Sequence, residues 1–128
     1  MSNRGKAVQR ISVLSGRHEL TVHALSRSAE SFTVSYSIEP PLPDDLSSVS
    51  PPAAPVFLWL EAVDDLGNHY SDFGGARGLS PDGSRTAGSI SGQPGLPPEA
   101  GSLTVRLMFM TGSDEFGYDL TVPVPAAG

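Results

Sequence analysis

The sequence predicts an all-β domain, an immunoglobulin-like β-sandwich of about seven to eight antiparallel strands. Three observations predict it. Apolar residues alternate with polar ones in several short runs, most cleanly where Phe32, Val34, Tyr36 and Ile38 interleave with Thr33, Ser35 and Ser37. Fourteen glycines and twelve prolines in 128 residues impose frequent turns. No segment carries a convincing helical period. Two packed sheets are the usual arrangement for so many half-buried strands, and a closed barrel is the alternative.

The organising stretch is VFLWLEAVDDLGNHYSDFGG, residues 56–75. Val56 to Leu60 form an apolar run too short for a typical helix and rich in β-branched and aromatic types, which reads as a strand buried on both faces, with Trp59 in the core. Asp64-Asp65-Leu66-Gly67-Asn68 stops the strand. Gly67 and Asn68 tolerate positive φ, so the chain reverses there and His69 to Phe73 return.

Earlier strands are expected over Val8 to Leu14, with Ile11 and Val13 inward, over Glu19 to Leu25, and over Phe32 to Ile38. Pro40 to Pro55 holds half of the prolines and reads as a long connection, because proline donates no ladder hydrogen bond. Residues 74–101 hold eight of the fourteen glycines and read as irregular, interrupted by a short strand at Arg85 to Ser91 anchored by Ile90. Ser102 to Met110 puts Leu103, Val105, Leu107 and Phe109 on one face and Thr104, Arg106, Met108 and Met110 on the other. Phe116, Tyr118, Leu120 and Val122 alternate through the last strand. Residues 1–128 thus read as a single domain.

The net charge of -6 argues against binding a phosphate backbone. Charge is uneven. Arg4, Lys6, Arg10, Arg17 and Arg27 are set against Glu19 alone in the first strands, whereas thirteen acids follow against Arg77, Arg85 and Arg106. Basic strands lying beside acidic ones in the sheet are the expected reason, and an acidic partner for the N-terminus is the alternative. The absence of cysteine excludes disulfides and thiolate chemistry. No apolar run reaches the ~20 residues that span a bilayer, and no secretory pattern opens the chain, so a cytoplasmic location without nucleic acid or membrane partners is expected.

The order of a basic N-terminal strand, an apolar strand running into DDLGNHY, the FGGARG stretch and LPPEAGSLTVRL resembles uncharacterised bacterial proteins of actinomycete type with an immunoglobulin-like β-sandwich. The resemblance spans the later two-thirds of the chain. It implies a fold, and neither an activity nor catalytic residues. A bacterial intracellular proteinase inhibitor family shares such a sandwich, but its motifs have no counterpart here.

Coherent catalytic chemistry is missing from the sequence. His18, His23 and His69 lack metal-ligand spacing. Gly88-Ser89-Ile90-Ser91-Gly92 puts isoleucine where a nucleophile elbow needs serine. Asp44-Asp45 and Asp64-Asp65 diverge in extended backbone, unlike a glycosidase pair. Gly74-Gly75-Ala76-Arg77-Gly78 lacks the Lys-Ser/Thr of a phosphate loop. Pro40 with Pro43 and Pro52 with Pro55 have P-x-x-P spacing. The metal candidates are Asp64, Asp65, Asn68 and Asp72, oxygen ligands of the kind calcium takes, although they do not follow the EF-hand pattern and are equally ordinary turn residues.

The functional expectation is a non-catalytic interaction or scaffold domain without a cofactor, binding a protein partner or forming a homodimer. Met108 and Met110, with Leu58 and Leu60, are apolar where a one-sided sheet would be polar. The alternative is binding of calcium or a carbohydrate at the 64–72 turn, with Tyr70 or Trp59 stacking on a sugar.

Overall fold

A computed structural model describes residues 5–43 and 55–125 of the chain. The part of the proline-rich connection at 44–54, with Asp44, Asp45 and Pro52, lies outside the described residues. Eight strands follow in order: β1 (Gly5–Val13), β2 (His18–Arg27), β3 (Phe32–Glu39), β4 (Val56–Asp64), β5 (His69–Leu79), β6 (Thr86–Gln93), β7 (Ser102–Thr111) and β8 (Asp114–Pro123).

The expected two-sheet immunoglobulin-like sandwich is not what forms. All eight strands belong to one antiparallel sheet in the order β1-β2-β3-β6-β5-β4-β7-β8, curled into a single nearly closed barrel. The physical reason lies in two places. First, β4 and β5 share a ladder at Glu61–Ser71, Ala62–Tyr70 and Val63–His69, which joins what would otherwise be two sheets. Second, the two edges of the sheet meet. The Gln9 side-chain amide donates to the Thr121 carbonyl, and the Leu14 N–H donates to the Tyr118 hydroxyl at 2.7 Å. The resemblance to actinomycete-type sandwich proteins fails on the same topology.

Alternation builds the interior as expected. Leu20, Val22, Phe32, Val34, Ile38, Leu60, Leu103, Leu107 and Phe109 are almost wholly buried in one apolar cluster. Phe32 meets Tyr70 edge-on with ring centroids 5.5 Å apart, and Phe109 meets Tyr118 in the same way at 5.8 Å. Leu42 is buried as well, its N–H held by the hydroxyl of the buried Thr86 at 2.9 Å.

The glycine-rich region is more regular than its composition implies. The return strand continues through the glycines to Leu79, with one bulge between Asp72 and Gly74, and β6 pairs with both β3 and β5. Gly92 explains part of the glycine usage, because a β-carbon there would sit 2.3 Å from the Phe32 ring.

One cation ties the top of the barrel together. Arg27, at the end of β2, donates to the carbonyls of Pro125 at 2.9 Å, Leu96 at 2.7 Å and Pro97 at 3.0 Å. Three of the five guanidinium N–H donors thus go to backbone carbonyls of the segments before β7 and after β8. Replacing Arg27 with methionine keeps the aliphatic stem and removes these charge-assisted bonds, and is expected to cost about 2–3 kcal/mol in urea unfolding. An unchanged midpoint would show that the clamp adds nothing.

Candidate functional site

The β4–β5 reversal is organised by one carboxylate. Asp64 is buried and accepts four hydrogen bonds: from the N–H of Leu66 at 2.9 Å, the N–H of Asn68 at 2.9 Å, the Asn68 side-chain amide at 2.9 Å and the Tyr70 hydroxyl at 2.7 Å. The Asp64 N–H donates to the Asn68 carbonyl, and Gly67 takes the expected positive φ of 89°. Burial by itself would push this carboxyl up. The bonds from Asn68, Tyr70 and the two amides more than offset that and hold it at about 2, against an ordinary 3.8. Burial and the bond to Asp64 raise the Tyr70 phenol to about 12.

The other metal candidates face different partners. Asp65 accepts the Gly101 N–H at 3.1 and 3.2 Å, tying the turn to the loop before β7. Asp72 accepts the Gly74 N–H at 2.7 Å and the Leu60 N–H at 3.0 Å. Only Asn68 joins Asp64, and it does so as a donor. Among the described residues, no group of three or more His, Asp or Glu side chains is placed to hold a metal ion. His18 bonds the Pro40 carbonyl at 2.8 Å, while His23 shares a 2.7 Å bond with Ser37 on the face of β2 and β3.

Trp59 is not a core residue. The inward side chains of β4 are Val56, Leu58, Leu60, Ala62 and Asp64, and Trp59 is half-buried on the outer face. The register with β7 sets Phe57 opposite Met110, Trp59 opposite Met108, Glu61 opposite Arg106 and Val63 opposite Thr104. Met108 and Met110 are therefore outward, as the alternation predicts. Leu58 and Leu60 face the core instead, because an unbroken apolar run hides which residues point inward. Phe57 is 57% exposed.

Further rows complete this outer face. On β8, Glu115 lies opposite Met110, Gly117 opposite Met108, Asp119 opposite Arg106 and Thr121 opposite Thr104. Gly117 leaves room for Met108 to lie across it, since a β-carbon there would come within 3.0 Å of the Met108 sulfur. Arg106 forms a two-pronged pair with Asp119, Nε to Oδ1 at 2.8 Å and Nη2 to Oδ2 at 3.2 Å. The pairing raises the guanidinium and lowers the carboxyl from their ordinary values.

Beyond Glu61 the ladder between β4 and β5 ends. There the Leu60 N–H is met by the Asp72 carboxylate and the Val56 carbonyl by Arg77 at 2.8 Å. Beside this parting runs a cleft of about 740 Å³, lined by Trp59, Glu61, His69, Asp72, Arg106 and Asp119 among others.

Comparison with known proteins bears on the fold. No protein-family model matches the chain, and no curated protein matches it. A conserved domain protein from Bacillus anthracis is 20% identical over 91% of this chain, with a TM-score of 0.57, and the chain spans 48% of that protein's structure. The GAE domain of yeast GGA1 aligns over 94% of this chain and 100% of its own at 16% identity, with a TM-score of 0.37, too distant to bear on this chain.

Because the Asp64 carboxyl is depressed in the folded state, its stabilisation is fully present above the ordinary carboxyl value. It is lost as pH falls from about 4 towards 2. Asp64→Asn is expected to cost about 2 kcal/mol in urea unfolding at pH 6, and to lose less stability than the unaltered protein between pH 5 and 2.5. Parallel pH profiles for the two would remove the assigned role. Gly67→Val is expected to cost more than Asp65→Ala, about 2 against about 1 kcal/mol, because only the former forces a β-branched residue to positive φ.

Proposed function

We propose that this domain is a non-catalytic binding module that docks a protein partner through the outer face of β4, β7 and β8. One observation carries the reading. Two successive cross-strand pairs, Phe57 with Met110 and Trp59 with Met108, set four large apolar side chains side by side on the outside of the barrel. Solvent-facing strand positions ordinarily carry polar residues, and here they do so one row away, at Glu61, Arg106 and Asp119. An apolar centre with a charged rim is the composition of a protein-binding patch, and methionine adapts its shape to the surface it meets. The side chains stand on paired strands, so the surface is preorganised and docking orders little.

A photo-crosslinking residue placed at Phe57 is expected to yield one discrete adduct in cells. The same residue at Leu79, which is also exposed but lies on β5, is expected to yield none. Met108→Glu should abolish the adduct while changing stability by less than about 0.5 kcal/mol. Light scattering over a concentration series identifies a second copy of the chain as the partner if the apparent mass rises and Met108→Glu prevents it. Equal labelling from Phe57 and Leu79, or an adduct indifferent to Met108→Glu, refutes the docking role.

A further inference from the structure

We infer that the docking face is built for an extended segment of a basic protein, two of whose apolar side chains cover Phe57 and Trp59 while a lysine or arginine two residues further enters the cleft at Glu61. The inference rests on the docking role proposed above and adds the chemistry of the partner.

Its first support is the spacing along β4. Phe57, Trp59 and Glu61 are alternate residues of one strand and stand about 6.5–7 Å apart. An extended chain running beside them presents its own alternate side chains at the same interval, so the order apolar, apolar, cationic is matched without bending either partner. The cross-strand neighbours widen the two apolar stations: Met110 beside Phe57 and Met108 beside Trp59.

Charge is the second support. Three carboxylates, Glu61, Asp72 and Asp119, line the cleft against one guanidinium, Arg106. Arg106 is already engaged by both oxygens of Asp119. Asp72 spends its oxygens on the amides of Leu60 and Gly74, which leaves its negative charge in place. Glu61 is exposed and has Arg106, already paired, as its cross-strand neighbour. A partner carboxylate in this cleft would meet net repulsion, and a partner cation net attraction. The aromatic face of Trp59, one row away, offers the same cation a second favourable contact. The whole chain, at -6, steers in the same direction.

Trp59 is the single tryptophan, so its emission reports on the site directly. The probe is a tryptophan-free, seven-residue peptide of sequence acetyl-Thr-Leu-Thr-Leu-Thr-Arg-Thr-amide, compared with a counterpart in which glutamate replaces arginine. The arginine peptide is expected to shift the emission and to bind about tenfold more tightly, since the exchange both removes an attraction and adds a repulsion. The preference should shrink as salt rises to about 0.5 M and should be lost in Glu61→Gln. Equal binding of both peptides overturns the inference and leaves the apolar docking role standing. Binding of neither peptide by a protein whose Phe57 adduct is intact also overturns it. If the Phe57 adduct itself is absent or indifferent to Met108→Glu, the docking role fails, and the inference fails with it.

Discussion

The barrel depends on one buried carboxylate. Asp64 gathers two backbone amides, a carboxamide and a phenol around itself, and in doing so it fixes where β4 ends and where β5 begins. Among the described residues, the three-residue ladder that follows is the only strand pairing between the five strands β1-β2-β3-β6-β5 and the three strands β4-β7-β8. Without that reversal the chain would have two separate sheets to pack. With it, one sheet curls until its edges meet at β1 and β8, where side chains make the contact. The carboxylate tolerates burial because every bond it accepts favours its charged form.

The same constraint shapes the outer surface. Past Glu61 each strand follows its other neighbour, β4 staying with β7 along its full length and β5 with β6 from Ser71 to Leu79. Divergent partners pull the two strands apart, and a cleft opens beside the parting. Asp72 and Arg77 reach the backbone of β4 there, an acceptor for an N–H and a donor for a carbonyl, so these two groups keep partners where the strand has lost its neighbour. The polar stitches and the cleft thus lie at one geometric event.

Much of this is legible in the residues. Alternation alone places β2, β3, β7 and β8, and it puts Met108 and Met110 on the outside of β7. The Asp-Asp-Leu-Gly-Asn turn and the positive φ of Gly67 are equally plain. Two things are not. Sandwich and barrel bury one face of each strand alike, so period two cannot separate them, and of the deciding contacts the β4–β5 ladder is only three pairs long while the meeting of β1 with β8 joins residues far apart in sequence. The glycines of β5 and β6 have no side chains with which to display a period. Within VFLWL the period is masked differently, since every residue is apolar. There the residue type of Trp59 suggests an inward position, whereas its place in the pleat turns it outward.

The nested strand order also fixes a schedule. β1, β2 and β3 are consecutive neighbours and can pair as soon as they leave the ribosome, but the far edge of β3 has no neighbour until β6 has been made, and the chain between Glu39 and Thr86 must be synthesised first. During that interval Phe32, Val34 and Ile38 belong to an open edge with an uncovered apolar face. Such an edge is a template for any other extended chain. The order of synthesis thus leaves the β3 edge of a three-stranded sheet the last of its pairings to be met, and the nascent chain is the stage at which this fold is most open to mispairing.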